Sequence, residues 1–271
     1  MIYTDYHLHS YYSSDCNASM ESMIEAAIKL GLTKLCFTDH MDIGFPQEYE
    51  LDFIFNCDDY FRELNELKIK YRDKIDILIG VELGLQPHVE DEINRFVENY
   101  PFDFILGSSH LVNKSDPYSP KYWDGISEQE GMRRYFQSII DNCKVFKNFH
   151  VYGHLDYAIR YSPYKGNGTY AYTYDNYKDI IDKVLLSIIS IGKGIEVNSS
   201  GYKYELGCSH PKEEIIKRYR ELGGEIISIG SDAHSPEHLA YDFDKVSSML
   251  IGLGFKYYTI FEKGQASMIK L

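Results

Sequence analysis

A chain of 271 residues, 44% hydrophobic and 25% charged, has the composition of an ordinary globular protein of one large domain or two small ones. Its 28 basic and 41 acidic residues leave a net charge of −13, a field that repels nucleic-acid phosphates and anionic membranes. The five cysteines (Cys16, Cys36, Cys57, Cys143 and Cys208) contain no C-x-x-C pair and are odd in number, which argues against a zinc ribbon or a disulfide framework.

Residues 2–8 read as a first strand and 20–30 as a first helix, with Met23, Ala26, Ala27 and Leu30 on one face. Strand 34–38, helix 59–72, strand 75–82, strand 102–108, helix 128–146 and strand 150–155 follow. The stretch 161–177, rich in tyrosine, glycine and polar residues, is either a surface excursion or a lid or substrate loop. Helix 176–191, strand 194–198, helix 212–222 (opened by Ser209-His-Pro-Lys) and strand 225–231 come next, and 255–262 reads as an extended piece covering an edge. Seven strands alternating with helices predict a parallel sheet with helices outside, closed into one barrel domain over residues 1–271. The start lacks a signal peptide's basic and apolar regions and no apolar run suits a membrane span, so a cytoplasmic protein with free buried thiols is expected. The 25 tyrosines indicate no function by themselves; they suit the core edge, rings inward and hydroxyls in water.

The residues that end these strands have metal chemistry. Strand one ends in His7-Leu-His9 with Asp15 just beyond, strand two in Asp39-His40, strand three in Glu82 and strand four in His110. Strand five ends in His154, strand six in Asn198 and strand seven in Asp232-Ala-His234. In a parallel barrel these ends meet at one face, and strand alternation sends both members of each i, i+2 pair to the same side. A single His-x-His is weak evidence, but most of the ten histidines converging with three carboxylates is not scatter. His88, His210 and His238 fall in loops or helix starts, and His150 opens a strand, so a structural place at the opposite rim is expected for it. Imidazole and carboxylate donors without cysteine suit zinc, manganese or iron, and the donor count suits two or three ions. Three divalent ions against Asp15, Glu82 and Asp232 would leave a mouth of about +3, attractive to a phosphate dianion in an otherwise acidic protein.

These motifs, His7-Leu-His9-Ser10, Thr38-Asp39-His40, Gly80-Val-Glu82, Ser109-His110, Gly153-His154 and Gly230-Ser-Asp232-Ala-His234, resemble those of the PHP (polymerase and histidinol phosphatase) family over nearly the whole chain. The resemblance implies a distorted (β/α)7 barrel with three divalent transition metal ions. By it His7, His9, Glu82 and Asp232 hold the first ion. Glu82 bridges to a second held also by His110 and His154, and Asp15, His40 and His234 hold the third. The segments 153–161 and 116–120, Tyr135-Phe136, and the ending Gly254-Phe-Lys-Tyr-Tyr are similar to the stand-alone histidinol-phosphate phosphatase branch. That implies hydrolysis of L-histidinol phosphate, with Glu82, Asp232, His234 and Arg160 catalytic. Arg160 is expected to clamp the phosphate with its planar fork, Asn198 to meet the substrate, Asp39 or Asp156 to orient a ligand imidazole, and 111–116 to line the pocket. The expected partner is a small phosphorylated substrate, not nucleic acid or membrane. The rivals are a phosphoesterase for another small ester or a nucleotide, and a metal-binding barrel without catalysis.

Overall fold

The computed structural model describes residues 2–49, 51–163, 172–204 and 206–271. The middle of the tyrosine-rich stretch, 164–171, therefore lies outside the described residues. Helix α1 (Met20–Lys29) starts where the Ser19 hydroxyl accepts the Ser22 N–H at 3.1 Å, and it buries Met20, Met23, Ile24 and Ala27. Leu30 does not join that stripe; it follows the last turn and is 56% exposed. Side-chain caps from Asn56, Ser127 and Thr173 likewise open α2 (Cys57–Tyr71), α4 (Glu128–Val145) and α5 (Tyr174–Ser190), with α3 (Glu90–Asn99) between the first two. The short α6 (Ser200–Lys203), α7 (Glu213–Glu221) and α8 (Phe243–Gly252) complete the helices. Neither α3 nor α8 is anticipated by the sequence reading.

The strands are β1 (Thr4–Asp5), β2 (Lys34–Phe37), β3 (His40–Met41), β4 (Asp76–Gly84), β5 (Phe104–Ser108), β6 (Val151–Tyr152), β7 (Gly194–Asn198) and β8 (Ile227–Gly230). They pair in parallel in the order β1-β2-β4-β5-β6-β7-β8, with β3 also on β4. Between the two ends of that order, Tyr6 N–H donates to Ile229 O at 3.1 Å, Asp232 N–H to His7 O at 2.7 Å and His9 N–H to Ala233 O at 2.9 Å. The seven strands thus form a nearly closed parallel barrel with helices outside, the predicted class.

Two details differ from expectation and both bear on the site. The second strand is interrupted at Thr38 and Asp39, which keep single backbone bonds to Leu8 and Glu82, and it resumes in the same register at His40, whose partner is Glu82. The final segment is extended, as expected, but it covers an end of the barrel and not a sheet edge. β9 (Tyr257–Glu262) pairs antiparallel with β10 (Gln265–Lys270), and this hairpin plugs the barrel's N-terminal end. There Tyr6 Oη donates to Phe261 O at 3.0 Å, Lys263 N–H to Asp103 Oδ1 at 3.0 Å, and Phe261 packs on Phe104 with centroids 5.2 Å apart. His150 sits under this plug, its Nδ1 accepting the Ile105 N–H at 2.9 Å.

Candidate metal centre

The opposite, C-terminal mouth collects the strand-end residues. Glu82, fully buried at the end of the longest strand, is their hub. Its Oε1 lies 2.8 Å from His154 Nε2 and 3.1 Å from His110 Nε2, and its Oε2 lies 3.1 Å from His7 Nε2, 3.0 Å from His40 Nδ1 and 3.6 Å from His9 Nε2. Asp232 Oδ1 stands 3.3 Å from His9 Nε2 and 3.7 Å from His7 Nε2. A third grouping follows on the solvent side, where Asp15 Oδ2 is 3.2 Å from His234 Nε2 and 3.7 Å from His40 Nε2. The nine residues expected to ligate are therefore brought together. Asp232 reaches its position through a left-handed backbone (φ 54°), a conformation costing roughly 1–3 kcal/mol in a non-glycine residue and concentrated at functional sites.

A surrounding layer fixes these rings, and the sequence reading missed most of it. Glu196 Oε1 is 2.6 Å from His7 Nδ1, and its Oε2 accepts the His154 N–H at 2.9 Å. Asp42 places both oxygens on His110 Nδ1, at 2.8 and 3.0 Å. Ser108 Oγ donates to Glu82 Oε1 at 2.7 Å. Asp39 acts on the imidazoles through an intermediary: Ser13 Oγ donates to it at 2.8 Å, lies 3.1 Å from His9 Nδ1 and accepts the His40 N–H at 3.0 Å. Asp156 orients no candidate ligand; it holds His210 Nδ1 at 2.5 Å and accepts from Tyr172 Oη at 2.9 Å. Glu196 and Asp42 were detectable, since Glu196-Val-Asn198 and His40-Met-Asp42 repeat the i, i+2 spacing of the ligand pairs.

The donor set suits divalent ions. His7 Nε2 and His9 Nε2 face each other at 3.1 Å while their Nδ1 atoms are engaged by Glu196 and Ser13. Both Nε2 atoms converge there beside the Glu82 carboxylate, where one divalent ion could take the place of their protons. His154 Nδ1 is buried without a hydrogen-bond partner. Four groupings (His7, His9 and Glu82; Glu82, His110 and His154; His9, His40 and His234; His40, Asp42 and His110) each hold their donor atoms within 4.8 Å of one another.

The electrostatics agree. Burial opposes ionisation of Glu82 and Asp232, yet the neighbouring imidazoles, His7 first, hold both carboxyls well below the usual range. Burial likewise opposes charge on His40 and His110, but Asp15 and Glu82 raise His40, and Asp42 and Glu82 raise His110 to about 10. Burial and the adjacent His234 and His40 push His9 the other way, well below the usual imidazole value. Divalent ions bound by these imidazoles would compete with protons for the same nitrogens.

The cluster forms one wall of a cavity of about 360 Å³. Arg160 lines that cavity from a 3-10 turn (Tyr157–Tyr161), its guanidinium 3.0 Å above the Tyr204 ring centroid and 5.0 Å from that of Tyr161. Asn198, expected at the substrate, is instead fully buried behind His7. Its amide donates to Glu196 Oε2 at 3.1 Å and its Oδ1 accepts the Ser200 N–H at 2.9 Å, so it positions Glu196. Among 111–116, only Asp116 lines the cavity.

The PHP domain model matches residues 5–200. The histidinol-phosphatase of Lactococcus lactis is 31% identical over 257 residues, 93% of this chain and 91% of that protein. A crystal structure of histidinol phosphate phosphatase from Lactococcus lactis, complexed with zinc, L-histidinol and phosphate, superposes with a TM-score of 0.88 at 29% identity, covering 97% of this chain and 98% of that one. A Listeria monocytogenes structure, 19% identical with a TM-score of 0.78 over 89% of this chain and 99% of that one, adds support for the fold alone.

Proposed function

The chain belongs to the PHP domain family, and from that premise we propose that it is a histidinol-phosphatase, hydrolysing L-histidinol phosphate to L-histidinol and phosphate. The reading rests on one observation: a cavity of about 360 Å³ with the imidazole–carboxylate cluster on one wall and Arg160 on its lining. In this reading His7, His9, Glu82 and Asp232 hold one divalent ion, Glu82 with His110 and His154 a second, and Asp15, His40 and His234 a third. Zinc suits these donors, as do manganese and iron. Bound there, such ions supply Lewis acidity toward water and phosphoryl oxygens.

The chain's own groups do the rest. Glu82, with Oε1 toward His110 and His154 and Oε2 toward His7, would contribute to the holding of two ions. Glu196 and Asp42 hold His7 and His110 in the tautomers that leave Nε2 toward the ions. Arg160, flattened on Tyr204, presents its fork to the phosphate and orients it against the cluster. Asp232 and His234 complete the wall the phosphate meets. A small phosphate ester fits a locally positive pocket in a chain of net charge −13, whereas nucleic acid and membrane do not. A cytoplasmic location belongs to the same proposal; no helix among the described residues is long and apolar enough to cross a membrane. Steady-state kinetics on L-histidinol phosphate, with p-nitrophenyl phosphate as a generic ester, test the assignment. A clear preference for L-histidinol phosphate is expected; a preference for the generic ester would overturn it.

A further inference from the structure

Beyond the cluster with Asp42 and Arg160, the cavity wall among the described residues is aromatic apart from Leu51, and one carboxylate, Asp116, interrupts it. Asp116 lies in the loop after β5. Its Oδ1 accepts the Tyr118 N–H at 2.8 Å, and its own N–H donates to Tyr49 Oη at 3.2 Å. It thereby ties together two aromatic runs. On one side Tyr49 packs on Phe45 with centroids 5.5 Å apart, and Phe45 on Phe53 at 4.9 Å. On the other, Tyr118 packs on Tyr161 at 5.1 Å, and Tyr161 on Tyr157 at 5.0 Å. The other carboxylates of the lining have cationic neighbours: Asp15 and Asp232 face imidazoles, and Asp42 holds His110. Asp116 has no Lys, Arg or His nitrogen within 4.0 Å among the described residues.

We propose that Asp116 is the specificity-determining residue for the alcohol half of the substrate, pairing with a cationic nitrogen that the surrounding aromatic rings also attract. The inference rests on the phosphomonoesterase reading above and adds to it a required chemistry for the leaving group: an amino or imidazolium alcohol, not a neutral one. Two physical terms act together. A carboxylate gives a charge-assisted hydrogen bond to an N–H cation, and aromatic faces attract the same charge through their quadrupoles. Burial pushes the Asp116 carboxyl up to about 6, with only partial relief from the Tyr118 N–H and His110. That is the behaviour of an acid lacking its counter-ion, and a bound cation would supply one.

The test compares wild type and Asp116→Asn on L-histidinol phosphate and on glycerol 2-phosphate, an alkyl ester with a neutral and comparably poor leaving group. L-Histidinol and inorganic phosphate serve as inhibitors. The variant is expected to lose roughly 10- to 100-fold in kcat/KM on L-histidinol phosphate, chiefly through KM, and to keep its rate on glycerol 2-phosphate. Inhibition by L-histidinol should weaken by a similar factor while inhibition by phosphate stays unchanged. Equal losses on both esters would make Asp116 a proton donor or a structural residue and overturn the proposal, as would no loss on either. If wild type does not hydrolyse L-histidinol phosphate, the activity assignment fails separately, and 2-aminoethyl phosphate replaces it against glycerol 2-phosphate. A preference for the cationic ester that Asp116→Asn abolishes then upholds the inference, and no preference sinks it.

Discussion

Removing Asp42 should weaken one ion position without touching any residue assigned there as a ligand. Its carboxylate is 2% exposed and meets His110 Nδ1 with both oxygens, so it fixes the ring with an N–H toward Asp42 and Nε2 on the side of Glu82 Oε1, 3.1 Å away, where an ion would take the place of the Nε2 proton. Losing a partner of this kind lowers metal affinity roughly 10- to 100-fold, about 1.4–2.8 kcal/mol at 1.4 kcal/mol per decade. Asp42→Ala should show that loss, and Asp42→Asn, which keeps one acceptor oxygen, a smaller one. A second perturbation reaches the same contact from behind. A Cβ on Gly84 would lie 2.3 Å from Asp42 Oδ1, so Gly84→Ala must push the carboxylate off His110 with no change of charge. The assay is zinc titration of stripped protein against a chromophoric chelator, reading both the number of ions and the weakest affinity. A reduced affinity at constant ion number is expected from both variants. A lost ion would instead make Asp42 a ligand itself, beside His40 and His110. Wild-type affinity in both variants would refute the argument that this carboxylate orients the ring.

Glu82→Gln keeps the side chain's size while removing the charge that five imidazoles share, so activity should be abolished and metal content should fall with the barrel still folded; near-normal turnover would show that no bridging role exists. Arg160→Ala should lower kcat/KM on L-histidinol phosphate roughly 10- to 100-fold, raising KM and lowering kcat. Lysine should rescue only in part, because it can neither fork nor lie flat on Tyr204; a wild-type rate for Arg160→Ala would reduce the residue to a structural contact. At the other end of the barrel, burial and Lys193 hold His150 down to about 4, in keeping with its Nδ1 accepting the Ile105 N–H. The folded state then binds fewer protons than the unfolded one, so stability should be lost as pH falls from about 6.5 toward 4, by roughly 3 kcal/mol at most, seen in urea titrations. His150→Gln should flatten that slope, and an unchanged slope would place its origin elsewhere.

The barrel class and the ligand positions were legible because both follow from local rules. Strand-length apolar runs alternate with helices, and the residue that ends each run lands at one mouth. What was not legible depended on partners distant in sequence. Helix α3 follows Val89 and α8 follows Asp242, and neither residue gives a capping side chain, so both helices lack a start signal although their apolar residues (Ile93, Phe96 and Val97; Phe243, Val246 and Leu250) recur at helical spacing. The hairpin's place as a plug is set by Tyr6 and Asp103, more than 150 residues away, and nothing in 255–262 itself distinguishes a plug from an edge. The interruption at Thr38–Asp39 also involves residues distant in sequence: the Asp39 side chain accepts from Ser10 and Ser13 while its carbonyl still accepts the Glu82 N–H at 3.1 Å, and His40 stays in register beside Glu82.

The motif glycines depend on distant partners in the same way. A Cβ at Gly153 would lie 2.4 Å from Ser108 Oγ, and one at Gly230 2.3 Å from His7 Cβ and 2.6 Å from Glu196 Oε1. Each glycine precedes a candidate ligand or lies two residues before one, so its spacing was visible in the sequence. Its reason was not: the missing side chain is the space through which Ser108 reaches Glu82 and Glu196 reaches His7. Substituting alanine at either position should therefore disturb the ligands' supports before it disturbs the strands, whose backbone conformation there any residue can adopt.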